Sequence, residues 1–210
     1  MPRDSTKGSI VKPTKQEIEE LQEKVLIGIG RNILNLQKME GMLKSLVVVV
    51  NSNFPTDNAE SAVRKRRKAV SRMPMGRLVN DFVRSVHPNS SDNAKREEAI
   101  VQESVEFLFT FEDGAFVKEL RASLRMVVKE RNQLIHKKLL AFNHGSPESC
   151  RDLARDLEDQ RQRIKPQFEA LAAIWSTVRD GYKELANYVG SVQFESDLRI
   201  AAAQAQETDQ

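Results

Sequence analysis

Apolar residues recur at spacings of three, four or seven along most of the chain, which is the spacing of one face of an α-helix. The longest such stretches cover about residues 15–50, 115–141 and 147–189, and shorter ones cover about 58–72 and 78–86. The pattern predicts an all-α, up-and-down bundle of four to five long helices. In the stretch 115–141, the buried side is expected to include Leu134, Leu139 and Leu140.

Local signals mark where two of these helices start. Thr14 and Glu17 fit a capping box, in which each side chain bonds the backbone amide of the other residue. Ser146 followed by Pro147 is typical of an N-cap with proline at the first helical position. Pro166 lies inside the last stretch and predicts a kink or a division of that helix, because proline has no backbone N–H.

One segment departs from the helical spacing. Val105, Phe107, Phe109 and Phe111 occupy alternate positions, and this period of two predicts a strand within a small insertion near 103–111. A strand needs a partner, which is expected in residues 98–103, in another chain or in a segment that the pattern does not reveal. The alternative is that the phenylalanines begin the next helix. We expect a helical turn at 94–102 and a loop at 51–56.

Composition and charge narrow the class of protein. Residues 14–190 are predicted to form a single domain, with a flexible tail at 1–13 and a weakly ordered one at 191–210. The net charge of +3 permits a nucleic-acid partner without requiring one. The one cysteine, Cys150, fits a reducing cytoplasm, and no cofactor or metal site is expected. Because the longest apolar run is Leu46–Val50, no membrane span is predicted.

Polar and cationic residues form a stripe along the predicted helix 115–141. Arg121, Arg125, Lys129, Asn132 and His136 follow one another at steps of four, four, three and four residues, so they share one face. Such a stripe is usually the solvated side of an amphipathic helix. It is also a surface that could hold the phosphates of RNA, together with the basic residues at 64–72, in particular Arg64, Arg66 and Arg67.

Arg131 and His136 offer a chemical use for this surface. A histidine, with an unperturbed pKa of about 6.5, can exchange protons with the 2′-hydroxyl and 5′-oxygen of RNA. A guanidinium can grip the scissile phosphate, and Asn132 can orient the imidazole or bond RNA. Five residues of α-helix place Arg131 and His136 about 140° apart. A shared site is therefore expected to need a two-fold dimer that pairs these helices.

The segment Arg131-Asn132-Gln133-Leu134-Ile135-His136 resembles the Arg-x4–6-His motif of the HEPN family, the higher eukaryotes and prokaryotes nucleotide-binding domains. The polar residue after the arginine and the motif's place in a late helix also fit. The resemblance implies a bacterial helical bundle that dimerises through the motif helix. It implies a metal-independent RNase of a toxin–antitoxin or phage-defence system, with Arg131 and His136 catalytic and Asn132 supporting.

Two functions follow from these residues. One is a dimeric HEPN-type endoribonuclease whose partners are RNA and an antitoxin or regulatory protein. The alternative is a non-catalytic helical module for dimerisation or protein interaction, because some HEPN domains have lost catalysis. In that case Arg131 and His136 brace a dimer or bind another protein.

Overall fold

A computed structural model describes residues 14–50, 52–55, 58–87, 104–107, 109–194, 196–197 and 199–200. The protein is an all-α helical bundle with a small two-stranded insertion, as the apolar spacing predicts. Its elements, in chain order, are α1 (Lys15–Val49), β1 (Ser52–Pro55), α2 (Ala59–Ser71), α3 (Met75–Ser85), β2 (Ser104–Phe107), α4 (Gly114–Gln133), a π-helical turn (Leu134–Lys138), α5 (Leu139–Ala141) and α6 (Pro147–Val189).

The predicted helix starts are confirmed. The Thr14 amide donates to the Glu17 carboxylate at 2.7 Å, and the Glu17 amide donates to the Thr14 hydroxyl at 3.3 Å. At the start of α6, the amide of Ser149 donates to the hydroxyl of Ser146 at 3.2 Å. The reciprocal pair at Thr14 and the single bond at Ser146 satisfy amides that a helix terminus leaves without an intrahelical acceptor.

The predicted division of the last helix at Pro166 is wrong, because α6 runs from Pro147 to Val189 with Pro166 inside it, and the alternative of a kink there stays a prediction. Proline removes one hydrogen bond, the one to the carbonyl of Gln162 four residues earlier. Both Pro166 and Gln162 are exposed, so water can satisfy that carbonyl. The remaining bonds of this 43-residue helix keep it continuous.

The strand prediction is confirmed for Ser104–Phe107 and wrong for 109–111, which belong to no strand, whereas positions 103 and 108 lie outside the described residues. β2 pairs antiparallel with β1, with Ser52 opposite Phe107 and Pro55 opposite Ser104. The prediction of a loop throughout 51–56 is therefore also wrong. The predicted tail at 1–13 and the predicted helical turn at 94–102 lie outside the described residues, as does 201–210 of the predicted C-terminal tail.

Aromatic packing explains why the alternating pattern does not remain a strand beyond residue 107. The ring of Phe111 lies 5.3 Å from that of Phe109 and 4.9 Å from that of Phe116. The amide of Phe111 donates to the carbonyl of Val86 at the end of α3, at 3.1 Å. The phenylalanines therefore form a connection between the insertion and α4, and the helix itself begins only at Gly114.

The chain divides into two compact units, and α1, α4 and α6 each contribute residues to both. Within the described residues, the first unit consists of 14–37 and 129–166, and its buried side chains include Val25, Leu36, Leu134, Leu157 and Ile164. The second unit consists of the described residues of 38–128 and 167–200, and its buried side chains include Met39, Leu43, Phe82, Leu124 and Leu171.

In the second unit, two side chains satisfy carbonyls at the end of α1. The guanidinium of Arg66 donates from Nε and Nη2 to the carbonyl of Val47, at 3.1 and 2.8 Å. The hydroxyl of Tyr182 donates to the carbonyl of Val49 at 2.7 Å. Burial raises the pKa of Tyr182 to about 12, against the opposing charge of Arg66. These hydrogen bonds satisfy carbonyl groups that the end of a helix leaves without an intrahelical donor.

Candidate functional site

The segment that carries Arg131 and His136 includes a turn wider than an α-helical one. The amide of Leu139 donates to the carbonyl of Leu134, an i→i+5 bond, and the π-helical turn spans Leu134–Lys138. Such a turn holds more residues than an α-helical turn, so each residue rotates by less than the ~100° of an α-helix. The divergence of about 140° expected between Arg131 and His136 assumed an α-helix throughout and is too large, so the need for a second chain no longer follows from that angle.

The wide turn also changes which side chains face the core. Leu134 is fully buried, whereas Leu140 is 80% exposed. The expectation that Leu140 belongs to the buried side is wrong because the extra residue in the turn shifts the phase of the positions that follow. Leu140 thus presents an apolar side chain to solvent about one turn beyond His136.

The three predicted motif residues lie on the first unit, at the start of this turn and within it. Asn132 and His136 are exposed, and Arg131 is half-buried. Nη1 of Arg131 lies 3.4 Å from Oδ1 of Asn132, which is a long hydrogen bond. Within the described part of the chain, no hydrogen bond or ion pair engages the side chain of His136. The imidazole and the Asn132 amide are therefore accessible to a ligand.

The predicted polar stripe is exposed at each of its positions: Arg121, Arg125, Lys129, Asn132 and His136. Arg121 and Arg125 belong to the second unit, where Nη2 of Arg125 donates to Oδ1 of Asn80 at 3.2 Å. Lys129, Asn132 and His136 belong to the first unit. Exposure keeps these side chains available to a polyanion and equally fits a solvated face.

A buried polar network stands behind the motif in the first unit. The carboxylate of Glu130, which is 7% exposed, accepts from Nε and Nη2 of Arg163 at 2.7 and 3.2 Å. Nε2 of Gln160 donates to the same carboxylate at 3.2 Å and to the carbonyl of Glu130 at 2.9 Å. Oε1 of Gln160 accepts from Nδ2 of Asn32 at 3.1 Å. The network thereby joins α1, α4 and α6 at the residue next to Arg131.

The charge of Glu130 sets the direction of these hydrogen bonds. A carboxylate and a carbonyl only accept, so Gln160 must turn its NH2 group toward Glu130 and its oxygen toward Asn32. Asn32 must then donate, which it does to Gln160 and to the carbonyl of Leu157 at 2.8 Å. Oδ1 of Asn32 is left buried with no hydrogen-bond partner in the part of the chain that the structure describes. The free-energy cost of this unpaired oxygen indicates that the hydrogen bonds to Glu130 decide how the two amide side chains are oriented.

Burial alone would raise the pKa of Glu130, because it disfavours the charged form. The hydrogen bonds from Arg163 and Gln160 outweigh burial, with help from the charges of Arg163 and Lys138. The pKa of Glu130 is therefore lowered from its ordinary value. The carboxylate is charged at neutral pH and acts as the fixed acceptor of the network.

The sequence pattern holds a signal for this network. Asn32, Glu130 and Gln160 each lie at helical spacing between buried apolar residues: Val25 and Leu36, Val127 and Leu134, and Leu157 and Ile164. A polar residue at a position that the periodicity assigns to the core needs a buried partner. Three such positions on three predicted helices would have suggested a shared network.

A surface cavity of about 410 Å³ lies on the first unit beside the wide turn. Its charged lining consists of one cation, Lys138, and three carboxylates, Glu148, Asp152 and Asp156. Nζ of Lys138 forms an ion pair with Asp156 at 2.8 Å. An excess of carboxylates repels phosphate, so this cavity is a poor site for an RNA backbone.

The predicted RNA-binding arginines of α2 lie in the second unit and differ in their surroundings. Arg67 is exposed. Nη2 of Arg64 bonds Glu60 at 2.9 Å in an exposed ion pair, which a phosphate could displace at small cost. Arg66 is half-buried and bonds Val47, so assigning it to RNA binding conflicts with its role at the end of α1.

Among the described residues, no group of His, Cys, Asp and Glu side chains could hold a metal ion. No helix in the described part of the chain is long and apolar enough to cross a membrane. In comparisons with protein-family models, curated proteins and solved structures, no significant match to this chain was found.

Proposed function

We propose that the protein is a metal-independent endoribonuclease of HEPN type that acts as a dimer, with a composite cleavage site built from two copies of the wide turn. The observation that carries the proposal is the exposure of His136 and Asn132 beside Arg131, above a polar network that fixes the neighbouring residue Glu130. A rigid support under accessible side chains is the arrangement that positioning of a phosphate requires.

In the proposed reaction, one neutral His136 takes the proton of a ribose 2′-hydroxyl. The 2′-oxygen then bonds the adjacent phosphorus, and the bond from phosphorus to the 5′-oxygen breaks. Protonated His136 of the partner subunit gives a proton to the leaving 5′-oxygen. The products are a 2′,3′-cyclic phosphate and a 5′-hydroxyl, so water and metal take no part in the step.

Arg131 would bind the non-bridging oxygens of the scissile phosphate and stabilise the charge that develops on them. Asn132 would orient an imidazole or hydrogen bond to the RNA. The exposed cation Lys129 would contact a phosphate next to the scissile one. The exposed cations of the second unit, Arg64, Arg67, Arg121 and Arg125, would each bind RNA phosphates. A cytoplasmic bacterial toxin or phage-defence effector, controlled by an antitoxin or regulatory protein, is the setting in which such an enzyme fits.

The experiment compares wild type with His136→Ala and Arg131→Ala on labelled RNA in EDTA. Cleavage by wild type and a loss of at least about a hundredfold in each variant is expected from removal of a general acid–base group or a phosphate-binding cation. Lys137→Ala serves as a matched control, because Lys137 is an exposed cation of the same turn that the mechanism does not use. Equal cleavage by all four proteins would show that the motif is not the active site.

A specific observation favours the second candidate, a non-catalytic interaction module. Leu140 is 80% exposed near His136, and exposed apolar side chains are more typical of a protein contact than of an RNA contact. If this function is correct, neither wild type nor His136→Ala cleaves RNA. Leu140→Asp should weaken the association of the protein with its partner chain, measured by sedimentation.

A further inference from the structure

The outward face of α1 carries apolar side chains where charge would be expected. In the first unit, the inward face buries Val25, Asn32 and Leu36. Ile27 and Leu34 each lie two residues from a buried position, a rotation of about 200°, so they point away from the core. Ile27 is 60% exposed and Leu34 57% exposed. Their separation of seven residues places them on the same side of the helix.

Gly30 lies between these two apolar residues on the same exposed face. A Cβ atom placed at Gly30 meets no atom of the described residues within 4 Å, so their packing does not require glycine there. Gly28 contrasts with it, because a Cβ there would lie 3.1 Å from Cδ1 of Leu157. Glycine weakens a helix interior, and its use on an open face suits the close approach of another helix.

Within the described part of the chain, the unpaired charges on this face lie at its two ends. Glu20 and Glu23 precede the apolar pair and Lys38 follows it, and all three are exposed. Arg31, between them, is paired with Glu158 of its own chain at 3.1 Å. If a second copy of α1 packs antiparallel about a two-fold axis between Gly30 and Arg31, Ile27 meets Leu34 of the partner subunit. Glu23 then meets Lys38 of the partner subunit. A parallel pairing would instead set Glu23 against the same carboxylate, which is repulsive.

We propose that this face, defined by Glu23, Ile27, Gly30, Leu34 and Lys38, is a self-association surface that binds a second copy of the chain in antiparallel orientation. Apolar side chains, an unobstructed glycine and self-complementary charges occur in one register, as an isologous two-fold contact requires. The surface contains neither Arg131 nor His136. The self-association proposal therefore does not depend on the nuclease proposal, and a result that refutes one leaves the other unaffected.

Cysteine cross-linking tests the register. Gly30→Cys places a thiol next to the proposed axis, and the native Cys150 is fully buried and cannot interfere. Gly41→Cys is the matched control, because a Cβ there also meets nothing within 4 Å but the position lies away from the axis. With diamide as oxidant, Gly30→Cys is expected to form a covalent dimer and Gly41→Cys is not. Equal cross-linking of both, or of neither, would overturn the register.

Charge reversal tests the orientation in the chain without added cysteine. Glu23→Lys and Lys38→Glu should each raise the dimer dissociation constant about tenfold, measured by analytical ultracentrifugation. The double reversal Glu23→Lys with Lys38→Glu should restore it to within about threefold of wild type. A monomeric wild type at about 100 μM, or a double reversal no better than the single ones, would refute the antiparallel contact.

Discussion

Replacing Glu130 by alanine should destabilise the protein through loss of the buried network beside the motif. Removing one partner of a fully buried ion pair costs about 3–5 kcal/mol, because the remaining charge is left without compensation. Here the cost is smaller, since the Arg163 side chain is 46% exposed and can recover water. Gln160 also keeps its bond to the backbone carbonyl of residue 130. We therefore expect a loss of about 2–3 kcal/mol.

Urea denaturation followed by circular dichroism measures this loss. With a slope of about 2 kcal/mol per molar urea, the midpoint should fall by about 1–1.5 M. Glu158→Ala is the matched control in the same unit. Its carboxylate accepts hydrogen bonds from Arg161, Gln162 and Arg31, but its side chain is 45% exposed. The reasoning predicts little change for Glu158→Ala, and equal midpoint shifts in the two variants would refute the role assigned to burial.

The remaining predictions concern pH, glycine and a tyrosine. The pKa of Glu130 is lowered in the folded state from 4.5, so its contribution to stability is present above about pH 4.5 and is lost as the pH falls through the pKa of the folded state. Glu130→Gln should therefore make the free energy of unfolding depend less on pH, measured by urea titrations at about pH 3–6. Gly30→Ala should raise the free energy of unfolding of the monomer by about 0.5–1 kcal/mol, measured by thermal unfolding at a protein concentration too low for self-association. Gly28→Ala should gain less than Gly30→Ala, because the added Cβ lies 3.1 Å from Leu157, and an equal gain would contradict this. Tyr182→Phe should lower the free energy of unfolding by about 1 kcal/mol, because the carbonyl of Val49 loses its hydrogen-bond donor. An unchanged melting temperature would contradict this.

Helix positions could be predicted from the sequence because their causes are local. The capping box at Thr14 and the proline at the first turn of α6 depend on residues within four positions of each other. The partner of β2 could not be predicted in the same way. β1 has four residues, one of them Pro55, and its pairing with residues about fifty positions later leaves no periodic pattern.

The candidate site was only partly predictable for the same reason. Exposure of the stripe from Arg121 to His136 follows from helical spacing, which the sequence contains. The π-helical turn adds one residue to one turn of the helix and so changes the angle between Arg131 and His136. The amino-acid composition of the segment carries no signal of this turn. The periodicity places Glu130 at a core position, but its pairing with Arg163 joins residues 33 positions apart, and no local pattern identifies that partner.

The most direct test of the account is incubation of labelled RNA with wild type and with His136→Ala, in EDTA, with analysis of the product ends. We expect wild type to cleave the RNA and to leave 2′,3′-cyclic phosphate ends. Cleavage by His136→Ala should be at least about a hundredfold slower, although this variant unfolds at the same urea concentration as wild type, because general acid–base catalysis contributes about 10²–10⁴-fold. Cleavage that EDTA abolishes, or that His136→Ala retains in full, would contradict it.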